Sequence, residues 1–114
     1  MTELNFGRDV QGFNAFAPSF SDIKYSASLI SGGSDSITVP ETNTNWIAAF
    51  SYEPGAIIWV ALNDTADAPA GSTFATTVSD LLPASRKVKG GDVIDFYNHG
   101  ANIADVEVIL YAVA

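Results

Sequence analysis

The chain has 114 residues, a single-domain length, and carries five Lys and Arg against thirteen Asp and Glu, for a net charge of −8 at pH 7. The deficit is shared equally between its halves, with no basic arm set against an acidic body, which excludes a phosphate-neutralising nucleic-acid binder. With 47% hydrophobic and 16% charged residues it is too apolar for a disordered tail, and without cysteine it has neither a disulfide framework nor a thiolate metal site.

The start, Met-Thr-Glu-Leu-Asn-Phe, lacks the cationic and apolar regions of a secretory leader. The longest strongly apolar run, Ala56 to Leu62, is too short to cross a bilayer. The expectation is therefore one domain with no membrane partner.

Residues 1–20 contain Phe6, Phe13, Phe16 and Phe20 among Gly7, Gly12 and Pro18, with no sustained period of 2 or 3.6. They read as an extended N-terminal arm. Four rings are too many for a solvated linker, since each one left exposed forgoes roughly 2 kcal/mol of burial. The arm is expected to lie against its own domain or a neighbour.

From residue 21 to 114 the pattern is that of short strands. Ile23, Tyr25, Ala27 and Leu29 alternate with polar residues, Gly32-Gly33 interrupts, Ile37 and Val39 resume the alternation, and Pro40 ends it. Trp46, Ala48, Phe50 and Tyr52 alternate next. Glu53-Pro54-Gly55-Ala56 has the Pro and Gly positions of a type II turn, and Ile57 to Leu62 follows as the expected partner strand of a hairpin. The apolar character of both faces of this second arm suggests a central position.

Asn63 to Ser72 has loop composition, Ser72 to Thr76 reads as a brief strand, and Ser79-Asp80-Leu81-Leu82 reads as one helical turn capped by Ser79 and stopped before Pro83. Arg86 to Lys89 and Val93 to Tyr97 read as strands around a Gly90-Gly91-Asp92 turn. Asn98 to Asn102 loops, and Ala104 to Ala112 alternates as the last strand. Seven or eight short strands with no long helix predict an all-β antiparallel sandwich, with a jelly roll as first choice.

Chemistry is sparse. His99 is the single histidine and lacks the partners of a catalytic base or metal ligand, so it reads as a surface-loop residue. Asp92, Asp95, Asp105 and Glu107 lie on adjoining predicted strands, where a glycosidase-like pair is conceivable, but a solvated face that discourages edge pairing is the simpler reading. Asn63-Asp64-Thr65-Ala66-Asp67 offers oxygens without the glycine and terminal glutamate of an EF-hand. Trp46, Tyr52 and Trp59 suit a sugar-stacking platform or a core, and the core is preferred. Arg86, Lys87 and Lys89 gather three of the five cations and suit either docking to an acidic partner or an ordinary solubilised strand. No catalytic residue, cofactor or metal is assigned.

The arm from Asn5 to Pro18, the stretches Asn45-Trp-Ile-Ala-Ala-Phe and Pro54-Gly-Ala-Ile-Ile-Trp-Val-Ala61, and the end Val108-Ile-Leu-Tyr-Ala112 together resemble small structural proteins of tailed bacteriophages. The likeness is one of arrangement, an aromatic arm before a compact β-domain. It implies a capsid decoration or cement protein on the exterior of the virion, made in the bacterial host cytoplasm. Such a protein clamps neighbouring major capsid subunits and commonly acts as a homotrimer or dimer, the trimer being favoured. The docking residues expected on chemical grounds are Phe6, Arg8, Phe13, Phe16 and Phe20, with Arg86, Lys87 and Lys89 matching charge. Two alternatives are a receptor- or carbohydrate-binding fibre or knob module, and a small hydrolase or lyase using the four carboxylates.

Overall fold

The computed structural model describes residues 1–3 and 20–114. Eight strands follow in order: β1 (Ile23–Leu29), β2 (Ser34–Thr38), β3 (Asn45–Tyr52), β4 (Ile58–Leu62), β5 (Ser79–Leu81), β6 (Ser85–Lys89), β7 (Val93–Asn98) and β8 (Ala104–Val113). They form two antiparallel sheets, β1-β8-β3-β6 and β2-β7-β4-β5. There is no helix among the described residues, hence none long and apolar enough to cross a membrane.

The path is legible in the pairings. β1 pairs with β8, β2 with β7, β3 with β6 and β4 with β5, so the first half of the chain lies antiparallel against the second half in reverse order. Rolling up this doubled ribbon brings β8 beside β3 and β7 beside β4, which closes each sheet to four strands. That connectivity is a jelly roll. The expected sandwich is therefore present, with β4 inside its sheet as its two apolar faces suggested.

Strand alternation builds the core. Trp46 and Ala48 on β3 and Val106, Val108, Leu110 and Ala112 on β8 face Ile58 and Val60 on β4 and Ile94 and Phe96 on β7. Phe50 meets Phe96 across the layers edge to face, with centroids 6.0 Å apart.

Three expectations are corrected. Pro54-Gly55 does form the turn, with the Ala56 amide donating to the Glu53 carbonyl at 3.0 Å and φ of 83° at Gly55. Yet it joins β3 of one sheet to β4 of the other, so Trp46 to Leu62 is a crossover between layers and not a hairpin. Residues 79–81 are strand β5 and not a helical turn. The Ser79 hydroxyl accepts from the Asp67 amide, 12 residues back, instead of capping its own segment. Residues 72–76 are irregular, part of a long connection from β4 to β5.

Tyr52 closes one side of the sandwich, its hydroxyl donating to the Pro83 carbonyl at 2.7 Å. Burial pushes its phenol above the ordinary 10.0, with Arg86 opposing the shift and Asp80 adding to it. A raised folded-state value means that this group's stabilisation is complete below the unfolded tyrosine range and declines as pH rises beyond about 10. Tyr52→Phe is expected to flatten the alkaline limb of a stability-versus-pH curve followed by urea unfolding. At neutral pH it should cost about 1 kcal/mol for the lost hydrogen bond.

Candidate functional site

The docking residues expected from sequence fall into three groups. Phe6, Arg8, Phe13 and Phe16 lie outside the described residues. What is described is how their stretch is rooted. Glu3 bridges Ala112 in parallel, and the Ala112 amide donates to the Thr2 carbonyl at 2.8 Å, on the β8 edge beyond the end of β1. The Thr2 hydroxyl donates to the Asp22 carboxylate at 2.8 Å, and the Asp22 amide donates back to that hydroxyl at 3.0 Å. Ser21, buried, donates to the Leu110 carbonyl at 2.6 Å. The residues immediately before and after the aromatic stretch are thus fixed at one corner of the first sheet.

The Thr2 hydroxyl and the Met1 ammonium, 3.1 Å from the carboxylate, hold the Asp22 carboxyl below its ordinary range. Phe20, the one arm phenylalanine described, is 91% exposed, with the Lys24 ammonium 5.1 Å from its ring centroid.

The cationic cluster is divided by its own strand. Val88 packs inward opposite Trp46, and period two puts Arg86 on the same side while Lys87 and Lys89 point outward opposite Ile47 and Asn45. Arg86 sits on an edge strand and reaches Asp80 of β5, with Nε 3.2 Å from Oδ2, so it straps the two sheets together along their open side. Both partners are more than half exposed, and the strap contributes little to stability. Only Lys87 and Lys89 remain as a pair on an outer face.

The four carboxylates are not brought together. Asp92 and Asp95 belong to the β7 layer and Asp105 and Glu107 to the β8 layer, so the predicted adjacency of their strands does not exist. Each is engaged locally. Asp92 accepts from the Lys89 amide at 2.8 Å and from Asn63 at 3.1 Å, and Asp95 accepts from the Ala66 amide at 2.7 Å. Asp105 accepts from the Ser28 hydroxyl, and Glu107 from that of Ser26 at 3.4 Å. Glu53, missed in the sequence reading, joins these two at a shallow outer depression between β1, β8 and β3. No group of three His, Cys, Asp or Glu side chains with metal-binding geometry occurs among the described residues.

The aromatic trio also separates. Trp46 is wholly buried, and Tyr52 is half-buried and tied to Pro83. Trp59 faces outward on the second sheet, in register with Tyr97 and Leu81, so no platform of the three exists. His99 continues that outer face, its ring 5.9 Å from Tyr97. Asp64 and Asp67 accept from the following amides of Thr65 and Ala68, both at 2.8 Å, as turn-forming aspartates do.

One surface feature carries no signal in the sequence pattern: Phe74, in the connection between β4 and β5, is fully exposed to solvent. Comparisons with protein-family models, curated proteins and solved structures gave no significant match.

Proposed function

We propose that the chain is a non-enzymatic structural protein of a tailed-bacteriophage particle, decorating the capsid and stabilising it by binding across neighbouring major capsid subunits. The observation that carries this reading is the rooting of the aromatic stretch. Thr2, Glu3, Ser21 and Asp22, on either side of that stretch, are held at the β8 edge of the sandwich, so docking through Phe6, Phe13 and Phe16 would pull on the body at that corner. Separation of Asp92 and Asp95 from Asp105 and Glu107 removes the four-carboxylate site from consideration, and the Glu53, Asp105 and Glu107 group that remains lines only a shallow, open outer depression. Lys87 and Lys89 offer charge matching to an acidic shell surface, and Arg86 is removed from that role by its strap to Asp80.

Quantitative mass spectrometry of purified source particles is expected to find this polypeptide in a fixed, near-stoichiometric ratio to the most abundant shell protein. Its absence from particles overturns the reading. The docking residues are tested by Phe6→Ser/Phe13→Ser/Phe16→Ser, which keeps the chain length and the roots at Thr2 and Ser21. If docking buries these three rings at roughly 2 kcal/mol each, their removal should weaken attachment to shells lacking the protein by at least about a hundredfold, with an unchanged circular dichroism spectrum. Undiminished attachment removes the arm from the mechanism.

A further inference from the structure

The first sheet has two edge strands, β1 and β6, and the aromatic stretch is rooted at the β1 side of that sheet. A protein that binds across neighbouring subunits needs a second attachment away from that corner. The β6 edge has the chemistry for one.

Antiparallel pairing fixes which backbone groups of β6 are already engaged. The Phe50 amide donates to the Ala84 carbonyl at 2.9 Å and the Gly90 amide to the Thr44 carbonyl at 3.0 Å, so residues 84, 86, 88 and 90 turn their main-chain groups toward β3. Ser85, Lys87 and Lys89 turn theirs to the open side. There Asp92 satisfies Lys89, its carboxylate accepting from the Lys89 amide at 2.8 Å and its own amide donating to the Lys89 carbonyl at 3.1 Å. Arg86 Nη1 donates to the Ser85 carbonyl at 2.7 Å. What the edge still offers is the Ser85 amide and both the amide and the carbonyl of Lys87, a short template for an added strand.

The side chains beside this template define what fits it. Lys87 and Lys89 stand on the outer face, and neither has an ion pair among the described residues. On the seam side Leu62 and Val78, 46% and 59% exposed, share a depression of about 180 Å³ with Arg86 and Val88. An incoming strand alternates in the same way, so its residues opposite Lys87 and Lys89 meet ammonium groups and those opposite Arg86 and Val88 meet apolar surface. The remaining edges lack this combination. β5 has three residues, β2 turns Asp35 toward the seam, and β1 carries Lys24 alone.

We propose that the β6 edge takes up an extended acidic segment of a partner protein as an added strand, with Glu or Asp opposite Lys87 and Lys89 and apolar residues between them facing Leu62 and Val78. A second copy is the wrong occupant, because two β6 edges paired about Lys87 set like charges opposite one another. An acidic strand meets no such bar. In a chain of net charge −8, this edge holds three of the five Lys and Arg and is where such a strand is attracted. On the capsid reading the partner is the shell protein, and that identity rests on the reading, whereas the edge chemistry holds or fails on the isolated chain.

Fluorescence anisotropy of a labelled peptide, Gly-Glu-Val-Glu-Val-Thr-Gly, titrated with the full chain tests it. A Kd of about 100 µM or tighter is expected, with the counterpart Gly-Lys-Val-Lys-Val-Thr-Gly binding at least about tenfold more weakly. Lys87→Glu should weaken the acidic peptide at least about tenfold. Lys87→Pro should do the same by deleting an edge amide that β3 does not use, with circular dichroism reporting the fold. Should proline unfold the chain, amide exchange in the wild-type protein decides, since the Ser85 and Lys87 amides should slow when the acidic peptide is added. No binding at about 1 mM, equal binding of both peptides, unchanged exchange at these two amides, or a folded Lys87→Pro chain that binds like wild type overturns the proposal. A chain present in particles that binds no acidic peptide loses the edge role and keeps the capsid reading. One that binds the peptide but is absent from particles keeps the edge role and loses that reading.

Discussion

Asn98→Ala is expected to lower unfolding free energy by about 3 kcal/mol, a large fraction of the roughly 5–15 kcal/mol that holds a domain of this size together. Asn98 is wholly buried at the end of β7. Its amide nitrogen donates to the carbonyls of Leu29 at 2.8 Å and Asn102 at 2.9 Å, and its amide oxygen accepts from the Gly100 backbone at 2.9 Å. Its own backbone exchanges two further bonds with Gly32 and Gly33. One side chain therefore joins the end of β1 to the β7–β8 loop. Alanine leaves two carbonyls and one amide without these partners where water is largely excluded, and adds a small cavity.

The isosteric Asn98→Asp separates these effects. A carboxylate still accepts from Gly100 but faces two carbonyl oxygens, so the variant should be less stable than the alanine variant at neutral pH. It should recover part of the difference when acidified, because a protonated acid can again donate. Urea unfolding of the three proteins at neutral and acidic pH checks the ordering. Equal stability of all three would mean that the network carries no net energy.

Strand positions were legible because alternation survives translation into burial. Trp46 and Ala48 are inward as their period predicts, and all of the main alternating stretches became strands. Strand partners were not legible. A Pro-Gly turn fixes a local reversal, but whether the returning strand lies beside the first or across the core from it depends on distant sequence. Here β8, more than forty residues further on, occupies the place beside β3 that a hairpin would have given to β4.

The same cause underlies the dispersal of the candidate sites. Neighbouring strands in a jelly-roll chain mostly belong to different sheets, so carboxylates on β7 and β8 part company although they are close in sequence. The splitting of Arg86 from Lys87 and Lys89 was, by contrast, available from period two alone. Asn98 read as the start of a loop, and its bonds to Gly100 and Asn102 are local, but its place at the end of β7 and its bond to Leu29 depend on a strand 69 residues away, which the local sequence does not announce. Phe74 was assigned to a brief strand because Ser, Thr and Phe are strand formers, and propensity is silent about whether a sheet edge is there to receive them.

Trp46→Ala should cost about 4 kcal/mol and lower the melting temperature by roughly 15 °C, given about 4 °C per kcal/mol for a domain near this length. The side chain is inaccessible to solvent between Ala112 and Val88, and its removal leaves a void the surrounding strands cannot collapse into without breaking register. The indole does more than fill space. Its Nε1 donates to the carbonyls of both Pro40 and Asn43, at 3.1 and 3.0 Å, and so gathers the β2–β3 connection beneath β3.

Gly90 closes the same connection from the other side. A Cβ at Gly90 would stand 2.5 Å from the Asn43 oxygen and 3.0 Å from that of Pro40, so this backbone can approach only because position 90 lacks a side chain. Trp46→Phe keeps most of the apolar volume and removes the donor. It is therefore expected to lose about 2 kcal/mol, with the 40–43 connection loosened while the sheets stay intact. Amide hydrogen exchange should show that loosening at Gly90 and Gly91, whose amides donate to Thr44 and Val39. Protection at these two amides equal to wild type in Trp46→Phe would assign the role of Trp46 to volume alone.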